Sequence, residues 1–488
     1  MDLVVALDAG TSGVRALSLD PTTRVVDEAY RELSAHYPWP GAVEHDAAEI
    51  ARLAVETLSE VAARARARGD VVVALGITNQ RETVVAFDRE NPAPCAPALV
   101  WQDRRGEARC LELRAGAHEA PVRETTGLVL DPYFSATKMA WLVEHGALED
   151  ASSPALATID TWLTWWLSGH VEGGAFVTEA SNASRTLLMD LAARTWSPSM
   201  ARLFGVDLAL LAPIVASGGT RALVSGAVVA DLAGVPIAGV LGDQQAALFG
   251  QACFSPGMVK ATYGTGAFVL AHAGSSAPPL ASGLLSTFAW DDGHEVAYAY
   301  EGSSFVAGAA VQWLRDELGF VEKASDLEAL ATSVEGSAGV TMVPAFVGLG
   351  SPFWRSEARG SISGLSRGVG PAHVARALVE ALAYQVRAIT DAFAHAGLAL
   401  EELRADGGAA AMDLLLSLQA TNSRVRVRRS DHLEATARGA ATLAGESVGL
   451  WRRHDLVEAW SAHATFEPED PFFADLGYDA WLRAAERA

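Results

Sequence analysis

"ALDAGTSGVRALSLD" (residues 6–20) places an acid, two glycines and two hydroxyls between two apolar runs. Small residues in such a turn let an anionic group come close to the backbone. The stretch lacks the Gly-Lys-Ser/Thr of the Walker loop and the three spaced glycines of the dinucleotide fingerprint, both of which lead into a helix. It reads instead as a β-hairpin: residues 3–7 up, a turn over 8–13, and 14–19 down. "MVKATYGTGAFVLAHAG" (258–274) repeats the pattern around a Gly264-Thr265-Gly266 turn. Two such hairpins half a chain apart predict two related halves facing each other.

Between the hairpins, "GVLGDQQAALFGQ" (239–251) reads as a buried strand ending at Asp243, then a helix. Residues 222–242 are apolar and glycine-rich, but Asp231 and Pro236 interrupt them. That predicts two buried strands rather than a membrane span. A helix is predicted from Pro371, which suits a first turn, to a stop at Gly397. Val374, Leu378, Leu382, Val386, Ile389 and Phe393 form its apolar face. "LRADGGAAAMDLLLSLQA" (403–420) reads as strand, Gly407-Gly408 turn and helix, whose free N–H groups suit a nucleotide. Alternating strands and helices predict an α/β architecture with mostly parallel strands.

The 488 residues suffice for two or more domains. A formal charge of −22 argues against a nucleic-acid or anionic-membrane surface, which needs clustered positive charge. Three cysteines (Cys95, Cys110, Cys253) without metal or disulfide spacing, and an N-terminus unlike a signal peptide, predict a cytoplasmic protein. The histidines show no paired ligand spacing, so no dedicated metal cage is expected.

Five polar stretches stand out: Asp8 to Arg15, "TNQRETV" (78–84), "VWQDRR" (100–105), "DPYFSATK" (131–138) and "GDQQ" (242–245). Singly they have plain readings. Asp243 suits a helix cap, Arg81 with Glu82 suits a surface ion pair, and Trp101 and Phe268 suit a core. Lys138 suits a structural salt bridge or, less readily, a phosphate contact. Together they suit a small polyol. Arg81, Glu82, Tyr133, Asp243 and Gln244 can hydrogen-bond hydroxyls, and Trp101 and Phe268 can cover carbons. The two hairpins offer N–H groups and hydroxyls to a phosphate donor. A carboxylate such as Asp243 is a sufficient base for an alcohol.

With these residues in order, the chain resembles the FGGY family of carbohydrate kinases, most closely its glycerol-phosphorylating branch. "GITNQRETVVAFD", "ALVWQDRR", "TEASNASRTLL", "EGSSFVAGAAVQWLRDELG" and "ARGSISGLSRG" carry the likeness alongside both hairpins, and it weakens after about residue 409. The resemblance implies a two-domain actin/hexokinase-like (ribonuclease H-like) α/β fold, with residues 1–250 and 251–488 as the domains and the active site in the cleft between them. It implies ATP-dependent phosphorylation of glycerol with Mg²⁺, no nucleic-acid or membrane partner, and a homo-oligomer by analogy. By matching positions, Asp8 faces the metal, and Thr11, Ser12, Gly13 and Arg15 form the first phosphate loop. Arg81, Glu82, Trp101, Tyr133, Asp243, Gln244 and Phe268 bind glycerol, with Asp243 the general base. Thr265 and Gly266 form the second phosphate loop, and Gly308, Val311, Gln312, Gly408 and Met412 line the nucleotide side. The alternatives are a kinase of another small polyol or ketose, a silent sugar-binding relative, and an actin-type ATPase. Retention of Asp8 and Asp243 argues against the second, and the stretches at 78–84 and 100–105 argue against the third.

The chain departs from that pattern in three places. Met412 stands where the family usually has Asn, a position associated with the adenine; Met offers no amide, which implies altered nucleotide affinity or base preference. In "TNSRVRVRRSDHLEATARGAATLAG" (421–445), Glu434, Thr436 and Gly439 are kept, a small hydrophobic turn is lost, and Arg438 replaces an apolar residue. "SGAVVADLAGVPIAG" (225–239) lacks the glycine/arginine loop that binds a sugar bisphosphate in some bacterial relatives, so no such inhibition is expected.

Overall fold

A computed structural model describes residues 1–431 and 434–488; residues 432 and 433, within the 421–445 stretch, lie outside the described residues. The first half is built on a six-stranded sheet of β1 (Asp2–Ala9), β2 (Gly13–Leu19), β3 (Val25–Glu32), β4 (Val71–Asn79), β5 (Gly218–Leu223) and β6 (Pro236–Gly242). Their order is β5-β6-β4-β1-β2-β3. Helices α1 (Ala47–Arg68), α2 (Ser135–Glu144) and α3 (Asp243–Gly250) belong to this half.

The second half carries β7 (Met258–Tyr263), β8 (Ala267–Gly274), β9 (Leu285–Asp291), β10 (Val296–Ser304), β11 (Glu402–Asp406), β12 (Val427–Ser430) and β13 (Ala462–Phe466) in the order β9-β10-β8-β7-β11-β12-β13. Helices α4 (Gly308–Asp316), α5 (Pro371–His395), α6 (Asp413–Ser423) and α7 (Ala435–Ser447) follow. β3-β2-β1-β4-β6 and β10-β8-β7-β11-β12 have the same order and sense, an antiparallel meander continued by two parallel strands. The two halves are thus structural repeats, as the paired hairpins predicted.

Two expectations need correction. The strands are not mostly parallel: only β1–β4, β4–β6, β7–β11 and β11–β12 pair in parallel within these sheets. Each tight phosphate-type turn joins an antiparallel pair, and that requirement outweighs the strand–helix alternation. Residues 222–242 hold one whole strand and the tail of another, because Val224 to Val235 turn back through a 3₁₀ segment at Ala230–Leu232. The helix at 371 forms as predicted, with Pro371 in its first turn, Gly397 at φ +86° just past its end, and its apolar face buried.

One core lies under each sheet and a third joins them, bringing Val4, Ala6 and Leu241 against Ala437, Ala441 and Trp451. Although α7 lies between β12 and β13 of the second half in the chain, it packs on the first sheet and on α3. A Cβ on Gly439 would collide with the Ala246 carbonyl, and one on Gly76 with that of Ala440, so glycine permits this backbone approach. Arg438 reinforces the contact. It is buried and donates to the backbone and side-chain oxygens of Thr23 in the β2–β3 turn, and burial pushes its pKa down to about 10.

Candidate active site

In the first hairpin, Asp8 lies opposite Arg15 in the β1–β2 register. The Gly10 N–H closes the turn on the Gly13 carbonyl at 3.0 Å. The Ser12 carbonyl is held by the Tyr30 hydroxyl and the Leu33 N–H. No acceptor among the described residues takes the N–H groups of Thr11 or Ser12, so both are available to an anion. Arg15 is drawn into ion pairs with Glu28 on β3 and with Glu434 of the second half. Burial and the neighbouring Asp243 carboxylate push the Asp8 pKa up to about 7, against the pull of Arg15.

The second hairpin turn is held by backbone. Gly308 N–H donates to Gly264 (2.9 Å), and Ala307 and Ala309 N–H donate to Thr265 (2.8 and 3.1 Å), pinning the turn to the start of α4. A Cβ on Gly308 would sit 2.6 Å from the Gly264 carbonyl oxygen. Trp101 lies between the hairpins: its indole N–H donates to Thr11 Oγ1 at 2.9 Å, and its ring meets Phe268 and Tyr133 edge-on at 6.4 and 5.6 Å.

Arg81 and Glu82 leave the end of β4 in a tight turn, with Glu82 at φ +60° and the Thr83 N–H on the Arg81 carbonyl. Such strain in a non-glycine residue persists where surrounding contacts over-determine it. They are no surface pair, since both are buried. Arg81 Nε lies 3.1 Å from Asp243 Oδ1 and its Nη2 3.5 Å from the Tyr133 hydroxyl. Asp243 opens α3, where its Oδ1 also accepts from the Gln244 N–H at 2.7 Å. The preceding Gly242 N–H donates to Ser181 Oγ, which in turn donates to the buried Glu179 carboxylate. Asp243 is therefore held at a braced strand–helix junction.

Tyr133 is set by an unexpected device. Lys138 is fully buried and donates to the carbonyls of Pro132, Tyr133 and Phe134 at 2.9, 2.7 and 3.0 Å. Among the described residues it makes no salt bridge; the three carbonyls take up its N–H donors, and burial pushes its pKa down to about 8. On the opposite wall, Lys260 of β7 donates to Gln244 Oε1, to Thr262 Oγ1 (3.1 Å) and to the Phe268 carbonyl (3.2 Å). Burial pushes its pKa to about 8 against the pull of Asp406 and Glu301.

On the remaining side, Gly407 (φ +88°) leads from β11 into an exposed Gly408, and Gln312 is exposed on α4. Val311 and Met412 face the second core and retain only 6% and 8% exposure, so little of either side chain is open to a ligand. Sequence reasoning passed over Arg185, Gln245, Lys260, Glu301 and Asp406. Arg185 and Glu301 sat inside "TEASNASRTLL" and "EGSSFVAGAAVQWLRDELG", and an unpaired charge in an apolar stretch was the only signal. Among the described residues no helix is long and apolar enough to cross a membrane.

The FGGY N-terminal domain model matches residues 3–250, and the FGGY C-terminal domain model residues 259–447. The chain is 47% identical to a glycerol kinase of Aromatoleum aromaticum over 499 aligned residues, covering 100% of this chain and 99% of that protein. It is 48% identical to a glycerol kinase of Stenotrophomonas maltophilia, with 96% and 94% covered. Among solved structures, the Plasmodium falciparum glycerol kinase with ADP superposes with a TM-score of 0.93 at 31% identity, covering 100% of this chain and 98% of that one. A gluconate kinase of Lactobacillus acidophilus shares the fold, with a TM-score of 0.89 at 16% identity. A repeated three-strand meander, two glycine turns and the polar cluster between them have a common explanation in these matches: the chain belongs to the FGGY family of carbohydrate kinases.

Proposed function

We propose that this protein transfers the γ-phosphoryl group of ATP to a terminal hydroxyl of glycerol, giving sn-glycerol 3-phosphate and ADP. The observation that carries the reading is the cluster of Arg81, Tyr133, Asp243 and Gln244 beside the Trp101–Phe268 wall. Convergent donors and acceptors beside aromatic faces suit a short polyol, whose hydroxyls and carbons alternate. Identity near 47% to proteins named glycerol kinase, over the whole length, points the same way.

In this reading the Oδ1 atom of Asp243 is occupied by Arg81 and Gln244, so Oδ2 takes the proton from the attacking hydroxyl. Thr11, Ser12 and Gly13 meet the terminal phosphates from one side and Thr265 and Gly266 from the other. Gly308, Gln312 and Gly408 border the nucleotide, with Val311 and Met412 behind them. Arg15, paired through Nε with Glu28 and through Nη1 with Glu434, meets a phosphate through Nη2. The Asp8 side chain, its proton affinity raised beside Asp243, fits a divalent cation held by one or two carboxylates and phosphate oxygens. Mg²⁺ bound there would offset charge on those oxygens. Closure of the two domains, residues 1–250 and 251–488, would exclude water from the reaction. We read the protein as cytoplasmic, with a homo-oligomer as its assembly.

The test is ADP release with glycerol, dihydroxyacetone, erythritol, xylulose and gluconate, each with ATP and GTP. The expected result is the highest kcat/KM for glycerol with ATP. A higher value for a ketose or for gluconate would overturn the substrate.

A further inference from the structure

The residues facing the polyol are held by two buried groups that do not belong to that set, Arg185 and Glu301. Glu301 comes from β10 of the second half and lies 220 residues from Arg81 in sequence. Its Oε2 accepts from Arg81 Nη1 at 2.7 Å, and its Oε1 from Arg81 Nη2 at 3.1 Å and Arg185 Nη2 at 3.0 Å. Arg185 then donates from Nε to Glu82 Oε1 at 2.6 Å, with its guanidinium over the Phe134 and Tyr133 rings at 5.2 and 5.7 Å. All four charged side chains are buried, and their formal charges cancel.

An inventory of hydrogen-bonding capacity shows what this arrangement leaves over. Arginine has five N–H donors in a fixed fork. In Arg81, Nε faces Asp243, Nη1 is divided between Glu301 and Gln245 Oε1, and one Nη2 hydrogen goes to Glu301. The last hydrogen has only the long 3.5 Å contact with the Tyr133 hydroxyl. In Glu82, Arg185 takes Oε1, and among the described residues no donor takes Oε2. Toward the polyol set this leaves one Arg81 N–H next to a phenol and one Glu82 carboxylate oxygen, a donor and an acceptor at fixed positions suited to neighbouring hydroxyls of one polyol; Arg185 Nη1, also without a hydrogen-bond partner among the described residues, belongs to the buried guanidinium over the Phe134 and Tyr133 rings.

We infer that Glu301 and Arg185 are positioning residues for the polyol: the second half, through Glu301, sets which atoms of Arg81 and Glu82 remain free for substrate hydroxyls. This rests on the reading of the site as that of a polyol kinase and goes beyond it by adding, to the aromatic face of Phe268, a charged determinant of polyol affinity from the half that carries the nucleotide side. A low proton affinity fits the arrangement: although burial opposes it, Arg185 and Arg81 hold the Glu301 carboxyl down at about 2, so it stays an anion at every working pH.

The test compares Glu301→Gln, Glu301→Asp and Arg185→Lys with the unaltered enzyme, measuring KM for glycerol and for ATP separately, with thermal unfolding to verify folding. Glu301→Gln keeps the shape, removes the charge and turns one of the two acceptor oxygens into an NH2 donor, so the two guanidinium groups keep a single acceptor atom between them. The expected result is a glycerol KM raised about tenfold or more, with ATP KM held within about twofold and partial rescue by Glu301→Asp. Arg185→Lys loses the fork that joins Glu82 to Glu301, and the same split is expected. A folded Glu301→Gln enzyme with unchanged glycerol KM, or one whose two KM values rise together, overturns the inference. If Glu301→Gln does not fold, Arg185→Lys decides by the same criterion. Should the unaltered enzyme prefer another polyol, the glycerol reading falls, and the same variants titrated with that polyol still decide the role of Glu301.

Discussion

The two hairpins have the same strand order and similar turns, yet they are held and equipped differently. The β1–β2 turn is braced by side chains, from Trp101, Tyr30 and Gln80, and carries Asp8, Thr11, Ser12 and Arg15. The β7–β8 turn is braced by the backbone at the start of α4 and carries no charge between Gly264 and Gly266. A repeated scaffold has therefore been divided between a turn whose chemistry lies in side chains and one whose chemistry lies in backbone shape. Both are closed to added volume at one glycine, Gly13 against the Tyr30 ring and Gly266 against the Ser304 carbonyl, so the difference lies in the groups each turn presents.

The largest expected effect is on the chemical step. Asp243→Asn removes the base while its Oδ1 can still accept from Arg81, so kcat should fall about 10²- to 10⁴-fold with glycerol binding retained in calorimetry. Near-normal turnover would remove Asp243 from that role. Next comes Gly308→Val, which puts a Cβ 2.6 Å from the Gly264 oxygen and displaces the second turn. Its kcat/KM for ATP should fall about 10²-fold, because displacement of about an ångström misaligns phosphoryl transfer, while glycerol KM stays within about twofold. Equal losses for both substrates would mean that the second turn is not specific to the nucleotide.

Trp101→Phe retains an aromatic wall but loses the 2.9 Å bond to Thr11. A single neutral hydrogen bond corresponds to a loss of about five- to tenfold in kcat/KM. A phenylalanine enzyme with full activity would show that Thr11 is held by its own turn. The smallest effect concerns stability at the strand–helix junction that holds Asp243. Burial raises the Glu179 pKa from 4.5 to about 7, so its ionised form is disfavoured in the fold. The sign follows: its contribution is fully present below 4.5 and is lost as pH rises through about 7, because the folded state binds the extra proton. Glu179→Gln should therefore flatten the fall in Tm between those pH values. A parallel Tm profile would place the pH response elsewhere.

The hairpins were legible because a glycine turn between two apolar strands is a local pattern, and the helix at 371–395 because its period is local too. The polar residues at 81, 82, 133, 243 and 244 were legible as a set, since so many hydrogen-bonding side chains beside apolar runs are costly unless they serve a ligand. Strand direction was misread because partners such as β8 and β10, which pair antiparallel, are chosen by long-range packing. Lys138 illustrates the same limit. A lysine next to a substrate loop suggested an anion or acid partner, but its three partners are backbone carbonyls that converge only once residues 132–134 bend around it.

By itself the sequence determined the local structure of this protein: two glycine turns between apolar strands, a strand ending in an acid at a helix start, and a set of hydrogen-bonding and aromatic side chains beside them. Those follow from backbone freedom and short-range periodicity, which neighbouring residues dictate. The tertiary structure alone decided how the buried charges are shared. Arg81, Arg185, Glu82 and Glu301 come from segments up to 220 residues apart, and each is tolerable in the interior only because the others neutralise it. Charge compensation acts through space, so the pairing that fixes which atoms of Arg81 and Glu82 are already taken is a property of the folded protein.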